Sequence, residues 1–287
     1  MTAATLDARA DQKPVRVISI FTDRSIFYAQ GSRRQAAKGG LLVLTTNRLG
    51  SIGAAALALA SLTAPAHAAD DKLTFVLAPQ ATSDYIFRGL SYSNEKPALQ
   101  AYGEVGYNIF YAGFWASGND YIGTLGPWEL DGFIGARPVT GDISWDVAVW
   151  WYNFGSRDPA LSRSDLDYVE FKLGASISPI TNLTLGLTGY YTPDQDLAMT
   201  ESTTVEGTMS YVLPQVGVFV PTFSGLLGWT GGNTDGFFLG EKEYLYWNAG
   251  VKLGIEKLFM DFRYWDTNID NDLADTRFVF TAGINLP

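Results

Sequence analysis

The sequence predicts an all-β fold, a transmembrane antiparallel β-barrel of about 12 strands preceded by a signal peptide. Three observations carry this. Apolar and polar residues trade places at every second position through most of the chain, the pattern of strands with one oily and one wetted face. The connections between these segments alternate in length from one end of the chain to the other. Aromatic residues crowd the segment ends, where the edges of an apolar membrane band lie.

The first 68 residues differ in kind from the rest. Arg9, Lys13, Arg16, Arg24, Arg33, Arg34, Lys38 and Arg48 stand against three acids, and an apolar stretch from Ile52 to Leu62 leads into Ala66-His67-Ala68. A basic flank, a short apolar run and an A-x-A site make a secretory signal, whereas a membrane helix needs about 20 apolar residues. Residues 1–68 are therefore expected to be a leader that is removed, and residues 69–287 an exported barrel. That part holds 12 basic and 27 acidic residues, a net charge of −15.

Composition removes several kinds of chemistry. The chain has no Cys, and its one histidine, His67, falls in the leader. Disulfides, Cys- or His-ligated metals and triads built on His are excluded from the exported part. It is expected not to be an enzyme; a carboxylate-only mechanism on a pair such as Glu129 and Asp131 is the one route that survives.

The first strand, 72–88, sets Leu73, Phe75, Leu77, Tyr85 and Phe87 on one face against Thr74, Gln80, Thr82, Asp84 and Arg88 on the other. Strands 97–107 and 110–118 follow. In 127–137 the face of Trp128, Leu130 and Ile134 alternates with Glu129, Asp131, Phe133 and Arg137, and in 142–153 Ile143, Val147 and Trp151 alternate with Asp146, Trp150 and Tyr152. Val169, Phe171 and Leu173 oppose Glu170 and Lys172 in 166–178. The remaining strands are 182–192, 203–213, 216–223, 243–255, 258–266 and 276–286.

Links after even-numbered strands are short: Asn108-Ile109, Pro138 to Gly141, Pro179 to Thr181, Pro214-Gln215 and Glu256-Lys257. Links after odd-numbered strands are longer and polar, from Gly89 to Lys96 through Thr267 to Asp275, and Ser224 to Lys242 reads as one of them, with Gly228 to Gly236 as a flexible loop. A soluble β-sandwich gives no reason for this alternation. An outer-membrane barrel does, with tight periplasmic turns, long outer loops and both termini in the periplasm. Candidate girdle rings include Tyr85, Phe87, Tyr107, Trp128, Trp151, Tyr191, Tyr211 and Tyr264.

Charges at membrane depth must face water or one another. The candidate pore-lining set is Asp84, Arg88, Glu104, Glu129, Asp131, Arg137, Asp146, Glu170, Lys172, Glu206, Lys252, Asp261, Arg263 and Arg277. Phe133, Trp150, Tyr152, Tyr190, Phe219, Phe223, Tyr244 and Tyr246 are expected to narrow the lumen. The set holds more acids than bases, and the outer loops are acidic. The expected function is passive diffusion of small hydrophilic solutes with a weak preference for cations; the alternative is a closed structural or surface-binding barrel. Expected partners are outer-membrane lipid, lipopolysaccharide and small hydrophilic solutes, with no nucleic acid and no cofactor. The segment from Asp266 begins like a calcium loop but has Asn271 and Arg277 where such a loop has Gly and Glu, so no metal is assigned.

The stretch Thr82-Ser83-Asp84-Tyr85-Ile86-Phe87-Arg88-Gly89-Leu90-Ser91, with Pro97-Ala98-Leu99-Gln100 and Phe110 to Ser117, resembles the opening signature of the TorF family of porin-like outer-membrane proteins. Glu129-Leu130-Asp131 and Asp167-Tyr168-Val169-Glu170 are similar to the strands that follow it. The resemblance implies a porin-like barrel and brings neither a substrate nor catalytic residues. It stops short of the C terminus, which reads Ile284-Asn285-Leu286-Pro287 where such barrels commonly finish in an aromatic residue.

Overall fold

A computed structural model describes residues 73–119, 125–156, 167–195 and 199–286, with the backbone of two short paired strands at Val15–Ile18 and Ile26–Ala29. The expected leader, 1–68, otherwise lies outside the described residues.

Twelve antiparallel strands form one closed sheet. They are β1 (Leu73–Thr82), β2 (Ala98–Tyr107), β3 (Phe110–Gly118), β4 (Leu125–Ala136), β5 (Ile143–Tyr152) and β6 (Tyr168–Ile180). They continue as β7 (Leu183–Thr192), β8 (Ser202–Val212), β9 (Val220–Gly232), β10 (Glu243–Ile255), β11 (Leu258–Thr267) and β12 (Arg277–Ile284). Val139–Thr140 and Phe154–Ser156 prolong the β4–β5 hairpin at either end. Each strand pairs with its neighbours in sequence, and β12 closes on β1 through Thr281–Thr82, Ala282–Ala81 and Gly283–Gln80. Closure leaves no edge strand, which hydrocarbon would not tolerate.

The short turns reverse the chain with residues in the left-handed region: Asn108 has φ 55°, Asn182 φ 69° and Glu256 φ 52°. Asn is the side chain that takes this region most readily. The opposite end carries the longer connections.

The side-chain pattern is that of a globular protein turned inside out. Leu99 is 77% exposed, Ile134 63% and Phe278 81%, with Phe75, Val149, Leu173, Leu187 and Leu227 on the same outer face. The buried groups face inward and include Glu129, Asp131, Glu170, Glu206 and Arg263. A belt of exposed aliphatic residues around a closed sheet with charges inside is a surface made for lipid, not water.

Two strands differ from expectation. The first ends at Thr82, not at residue 88, and the chain then turns into the barrel. The ninth runs from Val220 to Gly232 instead of 216–223, with all of Val220 to Gly231 in register with β10. Val216 and Phe219 bridge across a turn, so the strand expected at 216–223 falls half on that turn, and the inward face expected from Phe219 and Phe223 is one residue out of phase with β9. A one-residue slip turns every side chain to the other face: Phe223 lies on the outer face, while Thr222, Ser224 and Leu226 point inward. Phe219 belongs to the turn and narrows nothing.

Candidate functional site

The interior is filled from the long-loop end by the connection between β1 and β2, residues 83–97. Its sequence explains the inward fold. Asp84 accepts hydrogen bonds from the hydroxyls of Ser91 (2.7 Å) and Ser93 (2.8 Å) and pairs with Arg277 of β12 (2.9 Å). The amide of Tyr85 donates to Ser93 Oγ (2.7 Å) and that of Tyr92 to the Tyr85 carbonyl (2.6 Å). These bonds pinch the loop into a ribbon in which Ile86–Phe87 pairs with Leu90–Ser91. Its tip is Arg88-Gly89, with φ 47° and 86°, both positive as a two-residue hairpin of the I′ kind requires. A Cβ on Gly89 would stand 2.4 Å from Thr267 Cγ2 and 2.8 Å from Tyr246 Cβ, so only glycine lets the tip lie against the wall.

This corrects two expectations. Asp84 and Arg88 do not sit on the barrel wall but on the ribbon inside it. Tyr85 and Phe87, expected as rings at the membrane interface, are fully buried in the interior with Leu90 and Tyr92. The alternation that suggested a long first strand is real, but after Ser83 both of its faces meet protein. Gly89 was the one local hint of a turn, since Arg-Gly lacks the Asn or Asp that marks a two-residue hairpin tip.

Arg88 is the deepest anchor. Its Nη2 donates to both carboxylate oxygens of Glu170 on β6 at 2.9 Å, and its carbonyl accepts from the Tyr244 hydroxyl (3.0 Å). The guanidinium stands over the rings of Phe87 (4.8 Å) and Tyr190 (4.9 Å). Glu170 also accepts from Tyr152 (3.1 Å) and Thr192 (2.9 Å). A paired carboxylate with both oxygens bonded is the form in which burial of charge is tolerated.

Beside it, Glu206 on β8 accepts from Tyr246 (2.7 Å) through one oxygen, and its Oε2 has no partner. On the other side of the ribbon Glu129 accepts from Tyr85 and Asn119, both at 3.3 Å, and Asp131 from the Asn153 amide (3.2 Å). Stacked rings line the wall here: Phe133 on Trp150 at 4.3 Å and Tyr152 on Tyr168 at 4.4 Å.

Toward the short-turn end the interior opens. Arg137 binds both oxygens of Glu104 (2.7 and 2.8 Å) and stands 3.7 Å over the Tyr111 ring, while Lys172 pairs with Asp146 (2.7 Å). The Tyr102 and Tyr111 hydroxyls donate to Glu104 and Asp146. Opposite, Arg263 joins Asp261 (2.9 Å), Asn248 (2.7 Å) and Ser224 (3.0 Å), and Lys252 stands across the sheet from Asp261. Arg137 is 29% and Asp146 17% exposed, whereas Arg88 is 3% and Glu170 1% exposed. The interior is thus a cup, open toward the short turns and closed by the ribbon toward the long loops.

The lumen rings Phe133, Trp150, Tyr152, Tyr190, Tyr244 and Tyr246 are buried inside the barrel. Sequence reasoning missed Trp115, which is buried against Tyr85, and the ribbon's own Tyr92.

Solved structures with a similar fold are outer-membrane barrels. One is the KdgM porin in complex with disordered oligogalacturonate, 8% identical over 75% of this chain and 99% of its own, with a TM-score of 0.49. Another is LpxR from Salmonella typhimurium, 7% identical over 74% of this chain and 99% of its own, at 0.45. A loop-deletion mutant of OmpT, an outer membrane protein of Vibrio cholerae, is 10% identical over 76% of this chain and 100% of its own, at 0.37. No curated protein matches the sequence. The model of a bacterial protein family of unknown function, Gcw_chp, matches residues 66–283, a match that does not carry the TorF name. With the inward ribbon, the interior charges and the twelve strands, all but Ile284 at the end of β12, inside the matched residues, the chain belongs to the Gcw_chp family.

Proposed function

We propose that this protein is a porin-type barrel of the outer membrane whose path for small hydrophilic solutes is shut, in the closed state, by its own first loop. One observation carries the reading. Tyr85, Phe87, Arg88, Leu90 and Tyr92 are all buried inside the cylinder, while the charges toward the short turns keep contact with solvent. A barrel of 12 strands lies between those filled by side chains and those that leave an aqueous channel, so one inserted loop decides between a sealed and an open interior.

With the ribbon withdrawn, the path is lined by Glu104, Glu129, Asp131, Arg137, Asp146, Glu170, Lys172, Glu206, Lys252, Asp261, Arg263 and Arg277, with acids in excess. A weak preference for cations follows. The orientation that fits the loop lengths puts both termini and the short turns in the periplasm, with the acidic long loops toward lipopolysaccharide and the leader removed on export. No catalytic role is proposed. The kinship suggested by the TorF-like opening motif agrees with this reading, since that motif is the ribbon itself.

The test separates this gated channel from a closed structural barrel. In planar bilayers the intact protein is expected to be silent, and a variant with residues 86–91 replaced by Gly and Ser is expected to give discrete steps, with a reversal potential displaced toward the cation. A folded loop-replaced barrel that stays silent would leave a closed structural barrel as the function.

A further inference from the structure

We propose that the chamber around Arg88 is a binding site for an organic cation of the guanidinium or alkylammonium class, which the protein's own first loop fills in the closed state. This rests on reading that loop as the closing element, and names the solute class that competes with it.

A loop whose task was to occupy volume needs no charge at its tip, and burying one is costly unless a built site receives it. Here the site is built. Glu170 offers both oxygens at 2.9 Å, and the rings of Phe87 and Tyr190 flank the cation at 4.8 and 4.9 Å. Carboxylate contact at the cation with aromatic faces beside it is how proteins recognise guanidinium and alkylammonium groups. Of these parts, Glu170 and Tyr190 belong to the barrel wall and remain when the loop leaves.

A second feature is independent of Arg88's own bonds. Glu206, 1% exposed, lies in the same chamber with Oε2 unpartnered. Glu206 thus offers, in the wall beside Glu170, an acceptor oxygen that a second N–H donor can fill. Toward the short turns the next wall carboxylates, Asp146 and Glu104, are part-exposed, which makes that end the proposed side of entry. A cation that takes Glu170 from Arg88 removes the ribbon's deepest anchor, leaving the tip in a left-handed backbone that Arg does not favour. Ligand binding and loop release are then one event.

The test uses the full-length protein in detergent and guanidinium as the probe, with sodium chloride at equal ionic strength as control. In Arg88→Ala, guanidinium at millimolar concentration is expected to raise the thermal unfolding temperature saturably. Adding Glu170→Gln is expected to weaken that binding at least about tenfold, the cost of losing a charge-assisted pair. No saturable effect in folded Arg88→Ala would overturn the proposal, even if the loop-replaced barrel conducts; binding without conduction would instead count against the channel reading alone. Should Arg88→Ala fail to fold, wild-type protein in detergent decides: guanidinium is expected to speed amide exchange across residues 85–92 above the sodium control, and equal exchange would overturn the site.

Discussion

At the scale of single residues the molecule turns on a few buried polar groups. Glu170 holds Arg88, Tyr152 and Thr192 at once. Glu170→Gln leaves a buried guanidinium without its counter-charge, and breaking a buried pair from one side costs about 3–5 kcal/mol. The expected outcome is a lower unfolding temperature in detergent, with Glu104→Gln, at the wetter end, costing less. Gly89 is the second such residue. Gly89→Val meets Thr267 and Tyr246 and a positive φ together, with the backbone alone costing about 1–2 kcal/mol. The ribbon should fail to seat; amide exchange across residues 85–92 then rises and conduction begins, whereas a silent variant with unchanged exchange would show that the wall adapts.

Among the elements, β9 and the β1–β2 loop separate local pattern from real structure. Strand β9 passes through Gly225, Gly228, Gly231 and Gly232, a composition that reads as a loop. Gly228 is nonetheless a wall residue, since a Cβ there would meet the Tyr246 ring at 2.2 Å. The glycine makes room for a large ring on the next strand, a cross-strand requirement that no single segment displays. Hydrogen exchange gives the test: amides of residues 224–231 should exchange slowly and those of 235–241 quickly, and fast exchange throughout would restore the loop. The same contrast holds at the seam, where β12 meets β1 through three register pairs while β9 and β10 share twelve. The seam is expected to open first on heating, seen as early loss of protection at Ala81 and Ala282.

For the whole molecule the decisive property is the inverted surface. Leu187 sits in the middle of β7 on the outer face at 60% exposure. In water Leu187→Arg at so exposed a place is close to neutral, but at the centre of a bilayer it costs about 2–4 kcal/mol. Refolding into lipid vesicles should therefore lose roughly that much stability, while Thr188→Arg, toward the lumen, should fold. Equal behaviour of the two would argue that the outer face does not meet lipid. The charge balance inside belongs to this scale too. The ribbon brings in one base, Arg88, at the level of Glu129, Asp131, Glu170 and Glu206, so in the proposed open state a wall of acids would be uncovered, and the proposed closure and cation preference rest on the same residues.

The amino-acid sequence by itself determined the strand count, the closure into a lipid-facing cylinder and which side chains point inward in most strands. Each of these follows from a period of two and from connection lengths, which are local and repeated many times. It did not reveal that Asp84, Tyr85, Phe87 and Arg88 leave the wall. A two-residue alternation looks the same whether its oily face meets lipid or the inside of the barrel, and the pairing of Arg88 with Glu170 joins residues far apart in the chain. Only the assembled cylinder brings Glu170, Tyr190, Glu206 and Tyr244 around the ribbon tip, because only closure sets four strands to face one point. The turn before β9 shows the same boundary: residues 216–219 fall within the expected strand 216–223, and only the register, which begins at Val220 opposite Gly254 of β10, reveals that they lie outside it.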